Sequence, residues 1–432
     1  MSLPLHVEIV QKKQSRASQD CLKNMAHTFL ANLVSFTPGV TLTETEFEDN
    51  TDLKEHVQSI TFCDIDHDSE VSVAETELVY HIYKLDTFGA ETDTMTDTGT
   101  GEEFAAAEVW ALPSREFHGL WESLVYDSQL KRDAVRFAET GFELAERGVD
   151  PALVGWNRVV LLHGPPGTGK TSLCRALAQK LAVRLAGRFP RARLVEINAH
   201  GLFSKWFAES GKLVARLFER VDEIAADPRL LAVVLVDEVE SLAHARRAAL
   251  AGCEPSDAIR AVNALLTRLD RLRARPNALV LATSNVAGAV DVALLDRADL
   301  KRRVGPPSAR AAYAILRGCC GELMARGLLA PRERLFELRV LEASRFADGE
   351  AARASLRLWD VARDAAAAGA SGRALRRLPV LALALRVAPR PRPPSVPAFV
   401  GALHAALRDH VADDKIVNEK LKLDTKQNSS YN

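Results

Sequence analysis

A glycine-rich stretch at residues 164–171, GPPGTGKT, has the residue types and spacing of a phosphate-binding loop. Glycines let backbone N–H groups approach phosphate oxygens, and the helix predicted to follow adds the partial positive charge of its N-terminus. The ammonium of Lys170 can neutralise the β- and γ-phosphates, and the hydroxyl of Thr171 can bind Mg²⁺. The residues predicted to hold a nucleotide are Gly164, Pro165, Pro166, Gly167, Thr168, Gly169, Lys170, Thr171 and Ser172.

Two carboxylates, Asp237 and Glu238, follow an apolar run at residues 231–236, about 65 residues beyond the loop. Ligands of open α/β sheets bind at the carboxyl ends of the strands, so this position places both carboxylates beside the phosphates. We predict that Asp237 holds the metal together with Thr171, and that Glu238 polarises the attacking water. An Asp–Glu pair alone would be an ordinary solvated strand end, but the phosphate loop before it favours a catalytic role.

An asparagine follows the next apolar run, residues 278–283. The side chain of Asn285 can hydrogen-bond the attacking water or the γ-phosphate. A turn is the alternative role, because asparagine is also common in turns.

Short apolar runs between amphipathic helices must position these residues. Such runs predict an α/β fold with a parallel sheet that is buried on both faces. The predicted strands span residues 158–163, 193–198, 231–236 and 278–283.

The rest of the chain divides by composition. Residues 1–85 alternate strand and helix patterns, which predicts a small α+β domain. Residues 86–107 are acidic and rich in Thr and Gly, which predicts a flexible linker. The large sheet domain is predicted over residues 108–305 and a helical domain over residues 306–412. The polar residues 413–432 predict a tail, with a short helix followed by disorder.

The chain has 432 residues and a formal net charge of −1 that is unevenly distributed. Residues 1–110 hold 21 acidic and 6 basic side chains, whereas residues 301–410 hold 9 acidic and 20 basic ones. This asymmetry can orient partners or neighbouring subunits, or it can reflect two ordinary solvated faces.

The six cysteines form no CxxC pair, which argues against zinc sites and a disulfide framework. With no secretory signal and no apolar run long enough to span a bilayer, we expect a cytosolic or nuclear protein.

The motifs GPPGTGKT, LVDEVESL and TSN, in this order and spacing, resemble the AAA clade of the AAA+ ATPases. Longer stretches resemble one member, the pachytene checkpoint protein 2 family of HORMA-domain remodellers: WNRVVLLHGPPGTGKTSLC, LFSKWF, ESGKLV, AGCEPSDAIR, DRADLK and GRALRRLP. The resemblance covers residues 105–410 well and residues 1–85 loosely, and it fades over about the last twenty residues. It implies a P-loop AAA+ sheet domain, a helical lid domain and an N-terminal domain that binds substrate or adaptor.

The resemblance also implies two catalytic arginines. In a hexameric ring each nucleotide lies between subunits, and the neighbouring subunit supplies an arginine. Arg297 in the DRAD stretch holds that position, and Arg302 and Arg303 are its rivals. Arg373, just after Ser371-Gly372, matches the lid arginine that senses the γ-phosphate.

The resemblance implies that a polypeptide passes through a central pore. The matching loop contains Lys205, Trp206 and Phe207, and residues 251–257 form a second candidate loop. A bulky aromatic side chain can grip chains of any sequence by apolar contact. Composition alone instead favours Trp206 and Phe207 as core residues of the next helix.

The function implied is that of an ATP- and Mg²⁺-dependent homohexamer that converts HORMA-domain substrates from a closed to an open form. Substrates would be presented with a HORMA-like adaptor, in spindle-checkpoint and meiotic chromosome control. We expect the protein in nucleus and cytoplasm, associated with chromosomes, with no membrane partner and no direct nucleic-acid contact. Two other classes stay open. One is a DNA-directed AAA+ loader or helicase, whose basic region would contact phosphates; the other is a scaffold that binds ATP without turnover.

Overall fold

The computed structural model describes residues 4–31, 35–36, 39–47, 50–63, 71–72, 77–96, 103–199, 210–244, 257–286, 290–387 and 392–429. The chain forms two compact units. One unit is made of Met1–Glu122, Gln129–His163 and Lys170–Arg303, and the other of Ser123–Ser128, Gly164–Gly169 and Val304–Asn432. Within the described ranges, no helix has both the length and the apolar composition that crossing a membrane requires.

The N-terminal residues form a small sheet covered by a helix. The elements of this region are β1 (Pro4–Gln11), α1 (Gln19–Ala31), β2 (Ser35–Phe36), β3 (Thr41–Thr43), α2 (Thr51–His56), β4 (Val57–Cys63), β5 (Val71–Ser72) and β6 (Glu77–Tyr83), of which β2 and β5 pair in a separate two-stranded sheet. The strand order is β3-β4-β1-β6, and β1 runs antiparallel to β4 and parallel to β6. Side chains alternate along a strand, so Leu5, Val7 and Ile9 enter the core shared with α1. His6 and Glu8 therefore point to the opposite face of the sheet.

The large sheet has seven strands in the order β13-β9-β12-β11-β10-β8-β7. Its strands are β7 (Ala90–Thr96), β8 (Glu103–Leu112), β9 (Val159–His163), β10 (Arg191–Asn198), β11 (Leu230–Asp237), β12 (Ala278–Ser284) and β13 (Leu300–Arg303). The helices of this region are α3 (Leu120–Ser123), α4 (Leu130–Glu146), α5 (Lys170–Arg184), α6 (Ser210–Ala225), α7 (Asp257–Arg273) and α8 (Val292–Arg297). The five strands β13, β9, β12, β11 and β10 are parallel, which confirms the predicted parallel sheet.

The segment 86–107, predicted as a flexible linker, instead contributes two strands to this sheet. β8 pairs antiparallel with β10, and β7 pairs with β8 at the sheet edge. Ala107, Val109 and Trp110 are buried. The linker prediction from composition was wrong because a strand next to an existing sheet gains backbone hydrogen bonds from its neighbour. Such a strand needs few apolar side chains of its own.

The C-terminal residues form the helical domain that the sequence predicts. Its helices are α9 (Ala309–Ala325), α10 (Leu338–Ala343), α11 (Arg353–Ala367), α12 (Gly372–Leu381) and α13 (Val396–Ser429), with a π-helical turn at Ala382–Arg386. Leu316, Leu358, Leu375 and Leu403 are fully buried in one core. The predicted short helix and disordered tail at 413–432 differ from the structure, in which α13 continues to Ser429. The polar sequence without helix breakers allows this continuation.

Candidate active site

The phosphate-loop motif lies between β9 and α5, as a strand–loop–helix arrangement requires. A Cβ atom at Gly164 would lie 2.1 Å from the carbonyl oxygen of Val304, and φ of Gly164 is +148°. Only glycine fits such a position without a backbone shift. Lys170 is buried and is the first residue of α5, which begins directly after the loop in the sequence.

The loop contacts the start of α12. The backbone N–H of Arg373 donates to the carbonyl of Gly167 at 3.0 Å. Ser371 caps α12 by accepting from the N–H of Ala374. A Cβ atom at Gly167 would lie 2.8 Å from Oγ of Ser371. The structure thus brings the predicted sensor Arg373 to the phosphate loop; the sensing role stays a prediction.

Tyr126 is a loop contact that the sequence motifs did not indicate. Its hydroxyl donates to the carbonyl of Gly169 at 3.2 Å. No sequence pattern marks it, because Tyr126 lies 43 residues before the glycine that it contacts.

The predicted metal pair is in direct contact. Oγ1 of Thr171 lies 3.0 and 3.1 Å from the two carboxylate oxygens of Asp237 and donates to them. Hydroxyl and carboxylate oxygens are the hard ligands that Mg²⁺ prefers. The two residues therefore fit the metal predicted from the motif.

Thr283 holds the end of β11 and was missed by sequence reasoning. Its hydroxyl donates to Asp237 Oδ1 in a short hydrogen bond and accepts from the N–H of Glu238 at 3.3 Å. Its carbonyl accepts from the N–H of Val239 at 3.0 Å. Thr283 is 2% exposed, so these contacts are shielded from water.

Glu238 has a left-handed backbone, with φ of +59°. Such a conformation is uncommon for residues other than glycine, and it persists only where surrounding contacts impose it. The contacts of Glu238 and Val239 with Thr283 supply that restraint. Residues of this kind cluster at functional sites, which agrees with the predicted catalytic role.

Asn285 lies at the end of the neighbouring strand, where the sequence predicts it. Its backbone N–H donates to Oε1 of Glu240 at 3.1 Å. The other carboxylate oxygen, Oε2 of Glu240, is buried and has no hydrogen-bond partner within the described part of the chain. Glu240 therefore fixes the Asn285 backbone, a role that sequence reasoning did not assign.

The three candidate arginines differ in their contacts. Arg297 ends α8 and forms two 2.8 Å hydrogen bonds with the carboxylate of Asp270, which raises the pKa of Arg297. Arg302 pairs with Asp133 at 3.2 Å. Arg303 has no ion-pair partner among the residues that the structure describes, and its charge stands beside His163.

His163 is the last residue of β9 and directly precedes the loop in the sequence. Burial, Arg303 and Lys170 together lower the pKa of His163. The imidazole stays neutral near neutral pH, so the positive charge here comes from Arg303 and Lys170.

The predicted pore residues Lys205, Trp206 and Phe207, and residues 251–256, lie outside the described residues.

Three family descriptions match the chain. The ATPase family associated with various cellular activities (AAA) matches residues 160–306. The TRIP13-like AAA+ ATPase lid C-terminal domain matches residues 308–411, and the TRIP13 N-terminal domain matches residues 1–88.

The chain is also similar to named relatives and to chains of solved structures. It is 43% identical to the pachytene checkpoint protein 2 homolog of Gallus gallus, over 98% of this chain and 95% of the relative. It is 31% identical to C. elegans PCH-2, with a TM-score of 0.77 over 95% of this chain and 99% of that structure. An E. coli MS115-1 HORMA:CdnC:Trip13 complex has a chain of similar fold, with 19% identity and a TM-score of 0.50 over 69% of this chain and 94% of that one. With the phosphate loop and paired carboxylates in place, the chain belongs to the pachytene checkpoint protein 2 family of AAA ATPases.

Proposed function

We propose that this ATPase works as a homohexamer that partly unfolds HORMA-domain proteins and converts them from a closed to an open form. The proposed ATP hydrolysis is supported by the series of hydrogen bonds that links Thr171 to Asp237, Asp237 to Thr283, and Thr283 to Glu238. The family name of the relatives and the HORMA protein in the E. coli complex support the substrate class.

The residues of the site divide the chemistry between them. Lys170 neutralises the β- and γ-phosphates, and Thr171 and Asp237 hold Mg²⁺, which supplies positive charge to the phosphates. Glu238 orients and polarises the attacking water, and Asn285 holds that water or the γ-phosphate. The partner subunit's Arg297 stabilises the charge on the departing γ-phosphate. Arg373 contacts the γ-phosphate from the lid domain, so the lid changes position when that phosphate leaves.

Residues outside the ATPase site bind and move the protein substrate. Trp206 and Phe207, with Lys205, grip the substrate chain in the central pore. The N-terminal domain receives the substrate together with a HORMA-like adaptor. We place this activity in spindle-checkpoint and meiotic chromosome control, in nucleus and cytoplasm and on chromosomes.

An ATPase assay with and without a HORMA-domain protein plus its adaptor tests the proposal. Substrate and adaptor together should raise wild-type turnover, and Trp206→Ala should lose remodelling while it retains nucleotide binding. Turnover that ignores both proteins, or remodelling that survives Trp206→Ala, would contradict the proposed function.

A DNA-directed ATPase is the second candidate, favoured by the excess of basic side chains in residues 301–410. Many of these arginines are already engaged within the helical domain, as in the pairs Arg310–Glu342, Arg317–Glu337 and Arg386–Asp409. ATPase stimulation by DNA that falls steeply with salt would establish this alternative.

A further inference from the structure

Lys180 lies on the helix that begins at the phosphate loop. α5 starts at Lys170, and Lys180 follows about 15 Å further along the helix at 1.5 Å per residue. Its side chain is only 2% exposed. A buried ammonium is costly unless opposite charge and hydrogen bonds compensate it.

The compensation comes mainly from the N-terminal sheet. Nζ of Lys180 donates to Oε1 of Glu8 on β1 at 2.7 Å and lies 3.2 Å from Sγ of Cys63 on β4. Oε1 of Glu122 on α3 lies 3.5 Å away. Burial raises the pKa of Cys63 to about 12, so its thiol stays neutral and the two carboxylates supply the opposite charge.

β1 is buried on both of its faces. Leu5 and Val7 pack toward α1, whereas Glu8 points toward α5. Beside Glu8, the rings of His6 and His81 stack with centroids 5.1 Å apart. The N-terminal domain is therefore docked on the nucleotide-binding helix.

We propose that Lys180 is a positioning residue that couples the N-terminal domain to the nucleotide cycle. Phosphate binding at Lys170 and Thr171 fixes the start of α5, and the Lys180–Glu8 pair passes that restraint to β1. Coupling between two sites is reciprocal, so a partner that steadies the N-terminal domain also strengthens nucleotide binding. The coupling needs no HORMA protein; only the identity of the partner rests on the proposed function.

Amide hydrogen exchange of β1, measured on the full-length protein with and without Mg·ATPγS, tests this coupling. In the wild type, the analogue should slow exchange of β1 by at least about fivefold, the lower end of typical allosteric coupling. In Lys180→Met, β1 should exchange faster, and the analogue should no longer slow it even though it still binds.

Arg175→Met is the matched control. Arg175 lies on the same helix, but its guanidinium pairs with Glu196 of β10 at 2.6 Å, within the large sheet. This variant should keep the protection of β1. The double variant Lys180→Met/Glu8→Leu should regain much of the slow basal exchange, because Glu8 no longer leaves a buried unpaired charge and Glu122, 25% exposed, still reaches water. The analogue should still not slow exchange of β1 in this variant.

If Mg·ATPγS still slows exchange of β1 in Lys180→Met, the proposal is overturned. It is also overturned if Arg175→Met loses this slowing to the same extent. If Lys180→Met does not fold, Glu8→Gln gives the same measurement, because it weakens the pair from the N-terminal side and leaves α5 unchanged. A HORMA protein that fails to stimulate the ATPase would contradict the proposed function and leave the exchange result intact.

Discussion

Thr283 is the residue that joins the two predicted carboxylates, since its hydroxyl contacts both Asp237 and the backbone of Glu238. Its sequence position carried no distinguishing signal, because a threonine near a strand end is ordinary. Only the register of β11 on β12, with Val236 opposite Ala282, brings it beside the carboxylates. The motif residues were predictable, whereas the side chains that hold them in place were not.

Thr283→Val should lower kcat while ATP still binds. Valine keeps the shape but removes both hydrogen bonds, so Asp237 and Glu238 lose their relative placement. Misplacement of catalytic groups by about 1 Å costs roughly 10²-fold in rate, which sets the expected loss. Phosphate release and calorimetry measure the two quantities.

Thr267→Val is the control for this change, because the Thr267 hydroxyl donates to the carbonyl of Asn263 on its own helix. It should leave kcat near the wild-type value. Equal activity of Thr283→Val and wild type would show that Thr283 does not position the site.

Arg297→Ala should lower turnover by about 10³-fold or more, the effect of an arginine finger in related phosphoryl-transfer systems, without loss of ATP binding. Arg302→Ala and Arg303→Ala should stay near wild type. Steady-state phosphate release by the three variants, at saturating ATP, separates the rivals. A loss confined to Arg303→Ala would assign the finger to that residue instead.

At the scale of elements, the strands that carry the site were predictable. The predicted runs 158–163 and 278–283 correspond to β9 (Val159–His163) and β12 (Ala278–Ser284), because buried parallel strands require continuous apolar residues. The strands β7 and β8 were not predictable, since pairing with β10 stabilises them more than their own composition does.

The N-terminal sheet should lose stability in mild acid. Burial, then Arg184, His81 and Lys180, lower the pKa of His6 from 6.5 to about 3. Between these two pH values the unfolded chain binds a proton that the folded chain does not, so stability falls as pH decreases. Burial also lowers the pKa of His81, which acts in the same direction.

Thermal unfolding at pH 7.5 and pH 5.5 measures this effect. The lower pH lies between the unfolded and folded pKa values of His6, and the higher pH lies above both. The fall in Tm should be smaller for His6→Gln than for the wild type. His27→Gln, on the exposed side of α1, is the control and should follow the wild type. An unchanged fall in His6→Gln would remove His6 as the cause.

At the scale of the whole molecule, the N-terminal domain shares a compact unit with the large sheet. The pair that joins them, Glu8 and Lys180, is separated by 172 residues, so no local sequence pattern indicates it. Deletion of residues 1–85 would therefore expose Lys180 as well as remove the domain proposed to bind substrate, and single substitutions separate the two effects better.

The central claim is that this chain hydrolyses ATP with Lys170 and Thr171 at the start of α5 and the carboxylates Asp237 and Glu238 at the end of β11. The most direct measurement compares Mg·ATP binding by calorimetry and phosphate release in the full-length wild type and in Glu238→Gln. We predict unchanged binding and a turnover lowered by at least about 10²-fold, because general-base catalysis contributes 10²–10⁴-fold. Wild-type turnover in Glu238→Gln, or no Mg·ATP binding by the folded wild-type protein, would contradict it.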